Sequence, residues 1–147
     1  MKKSTDPFTH ETKLSTGFIS FPSNGVSLSI SIDASSSEID FFLWFTGTQK
    51  CFDEQSTVQI NFEGDRYKQN FKNTGSMNCE GAFHFVFKNT ATTPSQLQRL
   101  VDKKVNSFHI TGPNKTITDV AFSAEQKQIF SRMVACIVRD SKTLLKK

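Results

Sequence analysis

The chain carries little of what usually marks an enzyme, a metalloprotein or a membrane protein. Its 147 residues include three cysteines and three histidines. There is no C-x-x-C, no H-E-x-x-H and no acidic calcium-loop spacing, so no metal site is expected. No G-x-S-x-G, phosphate-binding glycine loop or dinucleotide glycine triplet occurs, so nucleophile-elbow hydrolases and nucleotide enzymes lose their usual signatures and no cofactor is expected. No run approaches the ~20 apolar residues of a membrane-spanning helix. Met1-Lys2-Lys3 could open a secretory leader, but Ser4 to Thr16 has no apolar segment. The chain as written reads as cytoplasmic, and as exported if a native leader was removed ahead of Met1.

Excess charge is also scarcer than the totals suggest. Eighteen Lys and Arg against fourteen Asp and Glu give a formal charge of +4. Setting aside Lys2, Lys3, Lys146 and Lys147 at the two ends leaves cations and acids level. A nucleic-acid domain would concentrate Lys and Arg on one face among exposed aromatics. Here the cations are scattered and the aromatics sit in apolar strand patterns, so no nucleic-acid partner is expected.

What the sequence has in quantity is phenylalanine, fifteen residues of it beside one Trp and one Tyr. A domain of this length buries roughly 70% of the surface of its unfolded chain, and large flat side chains suit a β-sandwich or small barrel. The organising stretch is 39–46, Ile-Asp-Phe-Phe-Leu-Trp-Phe-Thr. As a strand it points Ile39, Phe41, Leu43 and Phe45 one way and Phe42 and Trp44 the other, apolar on both faces, which predicts a central strand covered on both sides.

Residues 1–13 are polar and aperiodic and read as a flexible arm, with residues 14–147 as one domain. Leu14 to Phe21 and Val26 to Ile32 read as a hairpin about Pro22-Ser23-Asn24-Gly25, with Val26, Leu28, Ile30 and Ile32 alternating with serines. Further strands are expected over 57–63, 66–71 (a polar edge strand), 81–87, 105–111 and 116–122. Thr93-Pro94-Ser95-Gln96 predicts a short capped helix, and Ser123-Ala124-Glu125-Gln126 a longer one to about Leu145. The stripe Ile129, Phe130, Met133, Val134, Ile137 and Val138 needs an apolar partner, for which Phe42 and Trp44 are the natural candidates. The expected fold is thus α+β and mostly antiparallel: a sandwich or partly open barrel of about eight strands, with one short helix and a C-terminal helix packed on the sheet.

The rhythm of residues 39–138 resembles that of small, uncharacterised bacterial β-rich domains. Its parts are Phe45-Thr46-Gly47 ending an apolar strand, Val58-Gln59-Ile60-Asn61-Phe62, and Asn78-Cys79-Glu80-Gly81-Ala82-Phe83. Then come a helix spanning Leu97 and Leu100, Val105-Asn106-Ser107-Phe108-His109-Ile110, and a closing helix with Ala135-Cys136-Ile137. The resemblance implies a sandwich-like or barrel-like domain with a C-terminal helix and no known activity.

If strands from Asp40 to Phe87 run up and down, the loops holding Cys51 and Cys79 emerge at one end. A bridge between them closes a 29-residue segment and would contribute ~3 kcal/mol. The alternative, and the default in a reducing cytosol, is two free loop thiols. Cys136 sits on the helix stripe and reads as a core thiol.

Three function classes follow. The leading one is a non-enzymatic binding or interaction domain using the loop end of the sheet, Ser23 and Asn24, Lys50 to Glu54 and Asn73 to Glu80, with Lys50, Phe52, Asp53, Glu54, Asn78 and Glu80 as candidate ligand-binding residues. The alternative is a carrier of an apolar small molecule between sheet and helix. The third is an enzyme, which needs His84 or His109 to meet a carboxylate such as Asp40 or Asp119 in a cleft. Trp44 is a structural test: buried under the last helix it is core, and open to solvent it displaces the loop end as the leading binding site.

Overall fold

The computed structural model describes residues 2–23 and 25–145. The fold is α+β, with two antiparallel sheets that do not close into a barrel. The six-stranded sheet holds β1 (Lys2–Thr5), β2 (Thr12–Ser15), β3 (Ile19–Ser23), β4 (Val26–Ala34), β5 (Glu38–Thr46) and β8 (Ala82–Lys88). The four-stranded sheet runs in the order β10 (Ile117–Ala121), β9 (Val105–Thr111), β6 (Thr57–Phe62), β7 (Lys68–Lys72). Two α-helices occur among the described residues, α1 (Ser95–Asp102) and α2 (Ala124–Ser141). None of the described helices is long and apolar enough to cross a membrane.

Among the described residues ten strands replace the expected eight, for two reasons. The segment expected to be a loose arm forms a hairpin, Lys2 pairing with Ser15 and Thr5 with Thr12, fully exposed on β1; Met1 lies outside the described residues. The strand expected over Leu14 to Phe21 breaks at Gly17, whose φ of +71° suits a residue without Cβ. Leu14 and Phe21 are both buried but of opposite parity, so an unbroken strand could bury only one of them. The break slips the register on β4 by one residue, pairing Leu14 with Ala34 and Phe21 with Leu28. Asn24, of the expected Asn-Gly turn, lies outside the described residues.

Strand β5 is central, hydrogen-bonded to β4 on one side and β8 on the other, and β6 lies in the other sheet. Its inward residues Ile39, Phe41, Leu43 and Phe45 are buried against those of the second sheet and α2. Phe85 stacks on Phe41 and on Phe71 with ring centroids 5.0 and 4.8 Å apart, so rings from both sheets fill the space between them.

The expected partner of the last helix is corrected. Phe130 of α2 contacts Phe21, Phe41, Phe108 and Phe122, joining the inner face instead of covering Phe42 and Trp44. The reason lies in pairing: Ser29 sits opposite Trp44 and Ser31 opposite Phe42, and directly paired residues share a face. The helix therefore turns its stripe to the all-apolar side.

Helix α2 starts as expected. Ser123 Oγ accepts from the Gln126 amide and Gln126 Oε1 from the Ser123 amide, a closed capping box. Helix α1 starts one residue later than expected: Pro94 is its cap, no side chain caps it, and Leu97 and Leu100 are buried.

Candidate functional site

At the loop end, Cys51 and Cys79 are joined by a disulfide. Beside it Phe52 and Asn78 form an isolated antiparallel bridge, their amides donating to each other's carbonyls at 2.9 and 3.0 Å. Asn73 adds a second tie: its Nδ2 donates to the Asp53 carbonyl, and its Oδ1 accepts from the His84 and Gly75 amides. Gly81, at φ +83°, lets the second loop come so close to β5 that an added Cβ would stand 2.2 Å from the Phe45 carbonyl oxygen. The two loops are thus fastened to each other and to the sheet.

Several expected ligand-binding residues are used up in this fastening. Phe52 is core, 2% exposed, with Phe45 and Phe83 rings each 5.5 Å away, so it presents no surface to a ligand. Its place in a polar loop hid this, because burial came from folding the loop under the sheet edge. The Asp53 carboxylate accepts from the Gln55 amide and the Ser56 hydroxyl, which is turn chemistry. Asn78 Oδ1 accepts from the Glu80 and Ala82 amides, and its Nδ2 donates to the Ala82 carbonyl, which shapes the approach to β8.

Glu54 and Glu80 are exposed. Lys50 lines a shallow cavity of about 270 Å³ with Cys51, Pro113 and Asn114. Ser23 is tied instead to β10, its hydroxyl accepting from the Ala121 amide at 3.2 Å.

The outer face of the six-stranded sheet, beside these loops, carries what the loops do not. Trp44 is 45% exposed and Phe18 57%. Their ring centroids lie 5.9 Å apart with planes inclined at 60°. Trp44 is held from the loop side, its indole N–H donating to the Glu80 carbonyl at 3.2 Å. Next to it Phe42 stacks on His84, centroids 5.0 Å apart, and His84 Nδ1 lies 2.9 Å from the Thr74 hydroxyl. The floor between is Ser27, Ser29 and Ser31 of β4, paired with Thr46, Trp44 and Phe42. Phe18 was hidden within an apparently continuous strand; the parity clash between Leu14 and Phe21 is the signal that marks the break and turns it outward.

The far end of this face is charged. Asp33 and Asp40 are direct cross-strand partners. Ser15 and Ser31 hydroxyls donate to Asp33 Oδ1 at 2.5 and 2.9 Å, while Asp40 Oδ1 is buried without a partner. Burial, and then Glu38 nearby, raise the Asp40 carboxyl above its ordinary value.

The histidines are apart from one another in role. His109 meets Asp119 at 2.5 Å, but as cross-strand neighbours on the open outer face of the second sheet, not in a cleft. Among the described residues no group of three or more His, Cys, Asp or Glu side chains could hold a metal ion.

No protein-family model, curated protein or solved structure matches this chain. Residue roles therefore rest on the geometry alone.

Proposed function

We propose that the chain is a non-enzymatic binding domain whose ligand-facing surface is the outer face around Trp44 and Phe18, bordered by the disulfide-tied loops. One observation carries this: two large aromatic rings stand half open to solvent on a rigid sheet, touching each other and one of them hydrogen-bonded in place. An exposed aromatic pair costs hydration free energy that burial against a partner would recover. Immobilising a ring beforehand reduces the ordering entropy lost on binding. The loop residues expected to bind become the support of this face, with Glu80 at its border.

The test is affinity capture from extracts of the source cells with wild type, Trp44→Ala, Phe18→Ala and Lys50→Glu. A component retained by wild type and Lys50→Glu and lost with both aromatic variants supports the reading. Equal recovery by all four sinks it.

The carrier reading keeps one specific support, an open groove of about 360 Å³ between Ile19 and the α2 residues Ile129, Met133 and Cys136. Native mass spectrometry of the purified protein checks it: a copurified apolar molecule is its expected result, and bare protein contradicts it.

A further inference from the structure

Resting on the binding face just proposed, we infer that its ligand is a neutral saccharide chain, laid along β4 with its ring faces against Trp44 and Phe18. The half of the face next to the loops is uncharged: its outward residues on β4 and β5 are Ser27, Ser29, Ser31, Phe42, Trp44 and Thr46. The formal charges reached along the same two strands are Asp33, Glu38 and Asp40, all acidic. A phosphate, a nucleic acid or an anionic peptide would meet those three acids against two lysines, Lys2 and Lys13 of the neighbouring hairpin, and no basic cluster.

A protein partner fits no better. Stable protein interfaces bury about 800 Å² per partner around an apolar centre. Here two partly exposed rings stand over a floor of hydroxyls. A saccharide has the matching division: axial C–H groups give it apolar faces that stack on aromatic rings, and its rim is all hydroxyl, which serine side chains can meet as donor or acceptor.

The geometry narrows the class further. Ser31 is buried with its hydroxyl committed to Asp33, which leaves Ser27 and Ser29, about 7 Å apart along the strand, a spacing suited to a short run of sugar units. The 60° inclination of Phe18 to Trp44 prevents both rings from lying on one plane. A flat crystalline polysaccharide surface is therefore disfavoured, and a soluble, twisted single chain is the occupant. With its N–H held by the Glu80 carbonyl, Trp44 offers the ligand its ring face and not its polar edge.

Affinity gel electrophoresis of the intact, oxidised chain tests this, with a β-glucan, an α-glucan, a mannan and a xylan in the gel and polygalacturonate as the anionic comparison. The expected result is retardation by at least one neutral polysaccharide, lost or weakened at least about tenfold by Trp44→Ala and by Phe18→Ala, each checked for folding by circular dichroism. Phe18 packs outside the core, so its truncation keeps the test readable if Trp44→Ala disturbs the sheet. No retardation by any neutral polymer, retardation by polygalacturonate alone, or retardation unchanged in both variants overturns the inference. If the neutral polymers fail while aromatic-dependent capture succeeds, the face stands and only the saccharide assignment falls.

Discussion

The Trp44 indole N–H donates to the carbonyl oxygen of Glu80 at 3.2 Å, and Glu80 directly follows Cys79 of the disulfide. The exposed ring is therefore positioned by the loop that the disulfide fastens.

Opening that bond should be felt at both places. Replacing Cys51 and Cys79 by serine is expected to lower unfolding free energy by about 3–4 kcal/mol, the loop-closure value for a segment of this length. Since Trp44 is the only tryptophan, its fluorescence should change as well; a stability loss with an unaltered emission spectrum would show that the ring does not depend on the loop.

Phe52 and Lys50 separate core from surface in the same loop. Phe52→Ala is expected to cost about 3–5 kcal/mol in denaturant titration, because it empties a space bounded by Phe45 and Phe83. Lys50→Glu should stay within about 0.5 kcal/mol of wild type. Equal effects would contradict the placement of Phe52.

Gln69 is 2% exposed on β7, and both its amide nitrogen and oxygen are buried without a partner. A shape-similar apolar residue avoids that desolvation, so Gln69→Met is expected to stabilise the protein by about 1–3 kcal/mol. Destabilisation in urea titration would show that the amide is satisfied in solution.

Asp40 imposes a pH dependence of definite sign. Its carboxyl is raised above 3.8, first by burial and next by Glu38, with Asp33 adding to the effect. Between the unfolded and the raised folded value the folded state holds the extra proton. Stability is therefore fully present below the unfolded value and falls as pH rises through the folded one. Asp40→Asn should flatten that fall and raise the melting temperature at neutral pH but not near pH 3. A variant less stable than wild type at neutral pH would contradict it.

Local signals carried much of this fold. The Ser123 to Gln126 box starts α2, and the serine alternation of β4 already separates a wet face from a buried one. Pairing was not legible. Only once Ser29 and Ser31 lie opposite Trp44 and Phe42 does the second face of β5 become a solvent face, and nothing within 39–46 states its register.

The candidate site followed the same division. The proximity of Cys51 and Cys79 came from counting strands, whereas the duties of Phe52, Asp53 and Asn78 depend on backbone partners across the two loops. Phe18 needed the parity argument, which works only when both Leu14 and Phe21 are known to be buried.

The most direct test of the binding face is acrylamide quenching of Trp44 fluorescence in the free protein and in complex with whatever the affinity capture retains. The account expects efficient quenching when free and strong protection when bound. Quenching undiminished in the complex would show that the partner binds elsewhere.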